Sequence, residues 1–263
     1  MTTCGAQAQR GAGAGHGSSA GAGAVDAVVV VVPVHDEEEL LPRCLEALDA
    51  ARRALARDVQ PAPAVAVVVV LDACSDASER VVRGHPVTLL RTEHACVGAA
   101  RAAGVEEALE LVRPVVAGLD RVWVASTDAD SAVPENWLVE QVRLAGQGAD
   151  LMIGTVRPDP RDLTPAQRAA WTATHTPGIA NGHVHGANLG IRGSVYRAAG
   201  GYAPAPEHED VLLVESARRA GARVVASDVC WVLTSGRPVG RTPGGYARYL
   251  REDLVSSGAP GQT

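Results

Sequence analysis

Val122-Trp123-Val124-Ala125-Ser126-Thr127-Asp128-Ala129-Asp130 reads as a short apolar strand ending in two carboxylates one residue apart. Side chains at i and i+2 of an extended segment point to the same side. Asp128 and Asp130 can therefore face one spot beyond the strand end. Two carboxylates about 4 Å apart repel by about 4 kcal/mol at an effective dielectric near 20. A hard divalent ion such as Mg²⁺ or Mn²⁺ relieves that repulsion, because such ions prefer oxygen ligands. The plain alternative is a solvated, Asp-rich turn, so the surrounding chain has to decide.

Upstream, strand-like and helix-like segments alternate. Val25–Val34 is a continuous β-branched run, as in a strand buried on both faces. Glu37–Arg57 carries Leu40, Leu41, Cys44, Leu45, Leu48, Ala51 and Leu55 at helical spacing, with an acidic start and an Arg-rich end that suit the helix dipole. Strands are expected at Ala64–Leu71, Val87–Arg91, Arg121–Thr127 and Leu151–Val156, and helices at Ser75–Arg83, Gly98–Val112 and Glu135–Gly146. This order predicts an α/β fold with a mostly parallel central sheet and helices on both faces. The second half is less regular. It suggests helices at Thr164–Thr174, Glu209–Ala220 and Tyr246–Val255, and strands at His183–Arg192 and Arg223–Leu233.

The chain has 263 residues and a net charge of −6, without a basic run, so nucleic acid has no electrostatic footprint. At this length roughly 70% of the unfolded surface can be buried. There is no Phe or Lys, so Val, Leu and Ala must fill the core. Five scattered cysteines without a Cys-x-x-Cys pair argue against a disulfide framework or zinc site and for a reducing compartment. The apolar run Ala27–Val34 is far shorter than the roughly 20 residues of a membrane span. A cytoplasmic location is the expectation. Residues 1–24, rich in Gly and Ala, read as a disordered tail, and 257–263 as a flexible end.

Ligands of open α/β sheets bind beyond the carboxyl ends of the strands. Three such ends are acidic here: Pro33-Val34-His35-Asp36-Glu37, Asp72-Ala73-Cys74-Ser75-Asp76 and Asp128-Ala129-Asp130. They suit hydroxyls, a nucleobase N–H and a metal carrying a diphosphate. Helix capping by Asp36 and Asp76 is the plain alternative. The small-residue loop Val97–Gly104 opens a helix and would let Arg101 face a nucleotide, or it is an ordinary Ala-rich helix with a solvated Arg. Pro206–Val211 holds Glu209 and Asp210 at a helix start. There they either complement the dipole or, beside other carboxylates, act as a general base. Gly186–Arg192 and Gly200-Gly201-Tyr202 bracket a short helix, their glycines marking a tight turn or a close backbone approach to a ligand. His183 and His185 face one side of an extended stretch, as ligands or as part of a polar loop. Trp171, His175 and Asn181 line an acceptor pocket or simply pack.

Five motifs in order resemble inverting family 2 glycosyltransferases of the GT-A fold, over residues 25–256. The family's Pro-x-x-Asn-Glu appears as Pro33-Val34-His35-Asp36-Glu37, with Asp36 for Asn. Its Asp-Asp-Gly-Ser-x-Asp is similar to Leu71-Asp72-Ala73-Cys74-Ser75-Asp76, with three replacements. Its Gly-x-x-x-Ala-Arg-Asn-x-Gly looks like Cys96–Gly104, with Cys96 at the first Gly and Ala102 for Asn. The Asp-x-Asp is intact, as are Gly200-Gly201-Tyr202 and Glu209-Asp210. The resemblance implies a single GT-A (Rossmann-like) domain, with a nucleotide-sugar half at 25–157 and an acceptor half at 158–256. It implies a metal-assisted hexosyltransferase that moves one sugar from a nucleotide-diphosphate sugar to an acceptor hydroxyl with inversion. It also implies the roles. Asp72 would bind the nucleobase, with Pro33, His35 and Glu37 bordering the nucleoside and Arg101 facing the nucleotide. Asp128 would sit near ribose or sugar and share the metal with Asp130. Asp210, with Glu209 second, would be the base.

The processive synthases of this superfamily carry a Gln-x-x-Arg-Trp motif and membrane helices, and neither is present in this sequence. Arg237 and Arg241 fall in a comparable late position, to clamp a diphosphate or as a solvated basic loop. A non-processive transfer to a small or lipid-linked acceptor is the expectation, with peripheral membrane contact compatible. Two other readings compete. A sugar-phosphate nucleotidylyltransferase would need a Gly-rich basic loop where this chain is acidic. A non-catalytic nucleotide-sugar-binding module would not need Asp128, Asp130 and Asp210.

Overall fold

The computed structural model describes residues 23–242 and 244–257. The expectations for residues 1–22 and 258–263 lie outside the described residues. The first half runs β1 (Ala27–Val34), α1 (Leu41–Asp58), β2 (Ala64–Asp72), α2 (Ser78–Val82), β3 (Thr88–Thr92), α3 (Val97–Val112), β4 (Val122–Ser126), β5 (Ser131–Ala132), α4 (Trp137–Gly146) and β6 (Leu151–Pro158). The second half adds α5 (Pro165–Thr174), β7 (Leu189–Arg192), α6 (Gly193–Ala198), α7 (Glu209–Arg219), β8 (Val224–Thr234), α8 (Tyr246–Arg248) and α9 (Leu254–Ser257). One mixed sheet joins these strands in the order β3-β2-β1-β4-β7-β6-β8-β5.

Strands β3, β2, β1 and β4 are parallel, as is the β6–β8 pair. Strand β7 runs antiparallel between β4 and β6, and β5 pairs antiparallel with the end of β8. The valine run of β1 has no polar side because both faces are covered. Val28, Val30, Val32 and Val34 belong to one core with Leu41, Leu45 and Leu48 of α1 and Trp137 of α4. Ala27, Val29 and Val31 belong to another with Ala100, Val105 and Ala108 of α3 and Leu213 of α7. That is the period of two expected of a strand, each buried Val contributing about 1.5–3 kcal/mol. Chain order reverses between β1 and β4, which opens the ligand crevice beyond their carboxyl ends. Among the described residues no helix is long and apolar enough to cross a membrane.

Four local expectations need correction. Helix α1 starts at Leu41, not Glu37, and its first turn has no acidic residue. The Glu37 carbonyl accepts the Leu40 and Leu41 amides in a turn, and the Glu37 amide donates to Ser78 Oγ. The acids before α1 thus serve the loops around the crevice. Helix α2 starts at Ser78 rather than Ser75, because the Asp36 carboxylate takes the Ser75 and Asp76 amides at 2.7 and 3.1 Å. Asp36 therefore braces the neighbouring loop instead of capping α1. Of the strand expected over His183–Arg192, only Leu189–Arg192 is extended in the sheet, after a single 3₁₀ turn at Gly186–Asn188. The last helix is interrupted by a π-helical stretch at Tyr249–Asp253. At α5, by contrast, the helix expected from Thr164 forms, with Thr164 as its cap, completed by Gln167 in a capping box.

Candidate active site

A cavity of about 380 Å³ opens beyond the carboxyl ends of β1, β2 and β4. All ten residues singled out in the sequence for donor, metal or base roles line it: Pro33, His35, Glu37, Asp72, Arg101, Asp128, Asp130, Glu209, Asp210 and Arg237. Residues more than 170 positions apart meet there because α7 and the end of β8 return to the strand ends that carry the early motifs. Trp171, His175 and Asn181 are not among the lining residues. Trp171 and His175 instead stack on each other at 4.3 Å. His183 and His185 also stay outside the lining, and burial pushes the His185 pKa down to about 4.

Asp130 is held by its position between two strands. Ser131 of β5 pairs with Thr234 of β8, and both hydroxyls donate to the Asp130 carboxylate at 3.2 and 3.4 Å. Burial, then the charge of Asp128, pushes the Asp130 pKa up to about 6, with Arg237 pulling the other way. Arg237 Nη2 lies 3.1 Å from Asp130, and Nη2 and Nη1 together make a two-pronged pair with Glu37 at 2.6 and 2.9 Å. Arg241 adds a contact to Glu37 at 3.2 Å and another to the Asp36 carbonyl. The partly buried Asp130 and Asp128 offer two carboxylates of the oxygen-donor kind that fits a hard divalent ion, and without an ion the Arg237 guanidinium is the cation beside Asp130. Asp130 and Asp128 would hold such an ion.

The two acids of α7 have different surroundings. Glu209 is buried and accepts Arg101 Nε at 2.8 Å. Asp210 accepts only the amide of Val211, at 2.8 Å, among the described residues. Burial and then the adjacent Glu209 raise its pKa. A carboxylate kept basic and free of an ion pair is suited to take a proton.

Two expected donor contacts are turned toward the protein. Asp72 accepts the Cys96, His94 and Ala95 amides and the Thr92 hydroxyl at 2.7–3.2 Å, which fills the roughly four acceptor sites of a carboxylate. Burial alone would raise its pKa, but those donors hold it below the usual value. Asp72 thereby shapes the loop ahead of α3. Arg101 is 2% exposed and binds Glu209, Ser126 and Asp128. Several lining residues had no signal in the sequence. His208 takes a left-handed conformation before α7, and Thr234 and Ser235 enter from the end of β8. The Ser131–Thr234 pairing could have been sought at the strand end. Nothing in the sequence marks His208.

Residues 29–198 match the model of Glycosyl transferase family 2, which is well over half of the chain. No curated protein matches by sequence. Among solved structures, S. aureus TarS (residues 1–349) is similar with a TM-score of 0.55 at 14% identity, covering 80% of this chain and 60% of that one. The mannosyltransferase PcManGT from Pyrobaculum calidifontis, in complex with GDP-Man and Mn²⁺, gives 0.52 at 22% identity, covering 81% and 58%. Glucosyl-3-phosphoglycerate synthase from Mycobacterium tuberculosis, with Mn²⁺, UDP and phosphoglyceric acid, gives 0.50 at 16% identity, covering 90% and 80%. The chain spans less than two thirds of the length of the TarS and mannosyltransferase chains.

Proposed function

The chain belongs to glycosyl transferase family 2, and from that membership we propose that it moves one sugar from a nucleotide-diphosphate sugar to an acceptor hydroxyl, inverting the anomeric carbon. The observation that carries this reading is a single cavity lined both by the Asp128/Asp130 pair and by Asp210, an acid with a raised pKa and no ion-pair partner among the described residues. Residues 25–157 form the donor half and 158–256 the acceptor half. Pro33 and His35 border the nucleoside, and His35 is fixed by a 2.7 Å contact to the Asp72 carbonyl. Asp72 acts on the nucleobase by setting the 92–96 loop. The Mn²⁺ in the two relatives supports a divalent ion here. Asp130, with help from Asp128, would hold such an ion, and when bound it would supply charge neutralisation for the diphosphate leaving group.

The remaining steps belong to side chains. Asp210 takes the proton from the acceptor hydroxyl as its oxygen attacks the anomeric carbon. Glu209 stays paired with Arg101. Arg237 and Arg241, released from Glu37, clamp the diphosphate as it leaves. UDP-, GDP- and dTDP-sugars with Mn²⁺ are screened by thermal shift, and labelled transfer is then measured with the stabilising donor. A donor at 100 times its dissociation constant adds about 2.7 kcal/mol of stability. Asp210→Asn keeps that stabilisation and loses about 10²–10⁴-fold in turnover. Wild-type turnover in this variant would remove Asp210 from the base role. Pyrophosphate release from a nucleoside triphosphate, without sugar transfer, would favour a nucleotidylyltransferase.

A further inference from the structure

We propose that Arg101 is a positioning residue that fixes the base-bearing helix α7 to the donor-side carboxylate Asp128, and that it does not contact the nucleotide. This rests on the reading of Asp128 and Asp210 above. A guanidinium has five N–H groups. The Nε–H goes to Glu209 at 2.8 Å, Nη1 to Ser126 Oγ at 2.5 Å and the Thr127 carbonyl at 3.4 Å, and Nη2 to Asp128. Four of the five are thus spent on the protein. Glu209 directly precedes Asp210, so the fork ties the strand-end acid to the first turn of the base helix.

Independent backbone contacts brace the same junction. The Gly98 amide donates to the Ala205 carbonyl at 3.1 Å, and a Cβ on Gly98 would lie 2.0 Å from the Ala203 carbonyl oxygen. Helix α3 can approach the chain that leads into α7 this closely only because residue 98 has no side chain. The Tyr202 ring lies under the guanidinium, 5.8 Å away. On the far side, a Cβ on Gly186 would come within 2.5 Å of Arg101 Nη2. Gly186 and Gly98 make room for Arg101 and its helix. A reacting group displaced by about 1 Å can cost 10²-fold in rate, so a rigid tie between donor and base has a catalytic consequence without touching substrate.

The test uses the full chain and whichever of UDP-glucose, GDP-mannose or dTDP-glucose stabilises it with Mn²⁺. Arg101→Met, Asp210→Asn and the double variant are compared for kcat and donor Kd. Arg101→Met is expected to lower kcat about 10²-fold while Kd moves less than about threefold. On the Asp210→Asn background the same change should cost only a few-fold, since it acts through the base. Equal costs on the two backgrounds, or a tenfold weaker Kd with kcat intact, would overturn the proposal, the latter returning Arg101 to the nucleotide. If Asp210→Asn alone keeps wild-type kcat, the base reading fails instead, whatever Arg101→Met does. Should Arg101→Met fail to fold, Gly186→Ala shifts the guanidinium while keeping it. A kcat about tenfold lower at unchanged Kd supports the proposal, and an unchanged kcat refutes it.

Discussion

Asp130→Asn should make the metal-free protein more stable at neutral pH while removing its response to a divalent ion. The Asp130 carboxyl, ordinarily near 3.8, is pushed up to about 6 by burial and by Asp128. At 1.36 kcal/mol per tenfold, that shift corresponds to about 3 kcal/mol of destabilisation once the group is ionised. The sign follows from proton binding. Between pH 3.8 and about 6 the folded chain holds a proton that the unfolded chain has released, so this group's contribution falls as pH rises through that window. At pH 4 both variants carry a neutral group and should melt alike. At pH 7.5 the Asn variant should gain about 1–3 kcal/mol, the lower figure allowing for its weakened contact to Arg237. That is about 2–10 °C for a chain of this size. Arg237 keeps its two-pronged pair with Glu37 in the variant. Thermal melts at both pH values, with and without Mn²⁺, read all of this. An Asn variant less stable than wild type at pH 7.5, or equally stabilised by Mn²⁺, would refute the reasoning.

Two further outcomes follow from the same cluster. Asp72→Asn should cost about 1–3 kcal/mol in urea melts, because an amide NH₂ must face at least one of the backbone amides that Asp72 now accepts. Its folded pKa is lowered, so wild-type stability from this group is present above pH 3.8 and lost as pH falls through the folded value, and the variant should lack that acid-side loss. Glu37→Gln removes the carboxylate that pairs with Arg237 and Arg241. Trypsin cleavage after Arg241, the one of the two not followed by proline, should then speed up about tenfold or more, reflecting about 1.4 kcal/mol easier local opening. Unchanged cleavage would show that Glu37 does not hold the loop.

The layout of the chain was legible because two periodicities and strand-end chemistry are local properties. A valine run such as Ala27–Val34 has no polar face, so it has to be covered on both sides, and strands between helices then have to lie mostly parallel. Less local features misled. The acids at Glu37–Glu39 look like a helix start, yet the Glu37 and Glu38 amides donate to Ser78 and Asp76 and the Glu37 carboxylate pairs with Arg237, between about 40 and 200 residues away. His183–Arg192 looks extended throughout, but its first half turns away before the antiparallel pairing with β4 begins.

The sequence by itself determined which residues carry charge to the crevice, because strand ends, helix starts and the spacing of acids are written in consecutive positions. Only the tertiary structure decided how those charges divide their partners. Asp128 and Glu209 share Arg101, Asp72 is consumed by the 92–96 loop, and Asp210 is left without an ion pair among the described residues. The physical reason is that a carboxylate's chemistry depends on which donors reach it and how much water remains. Both are set by chain segments that meet only after the sheet has formed.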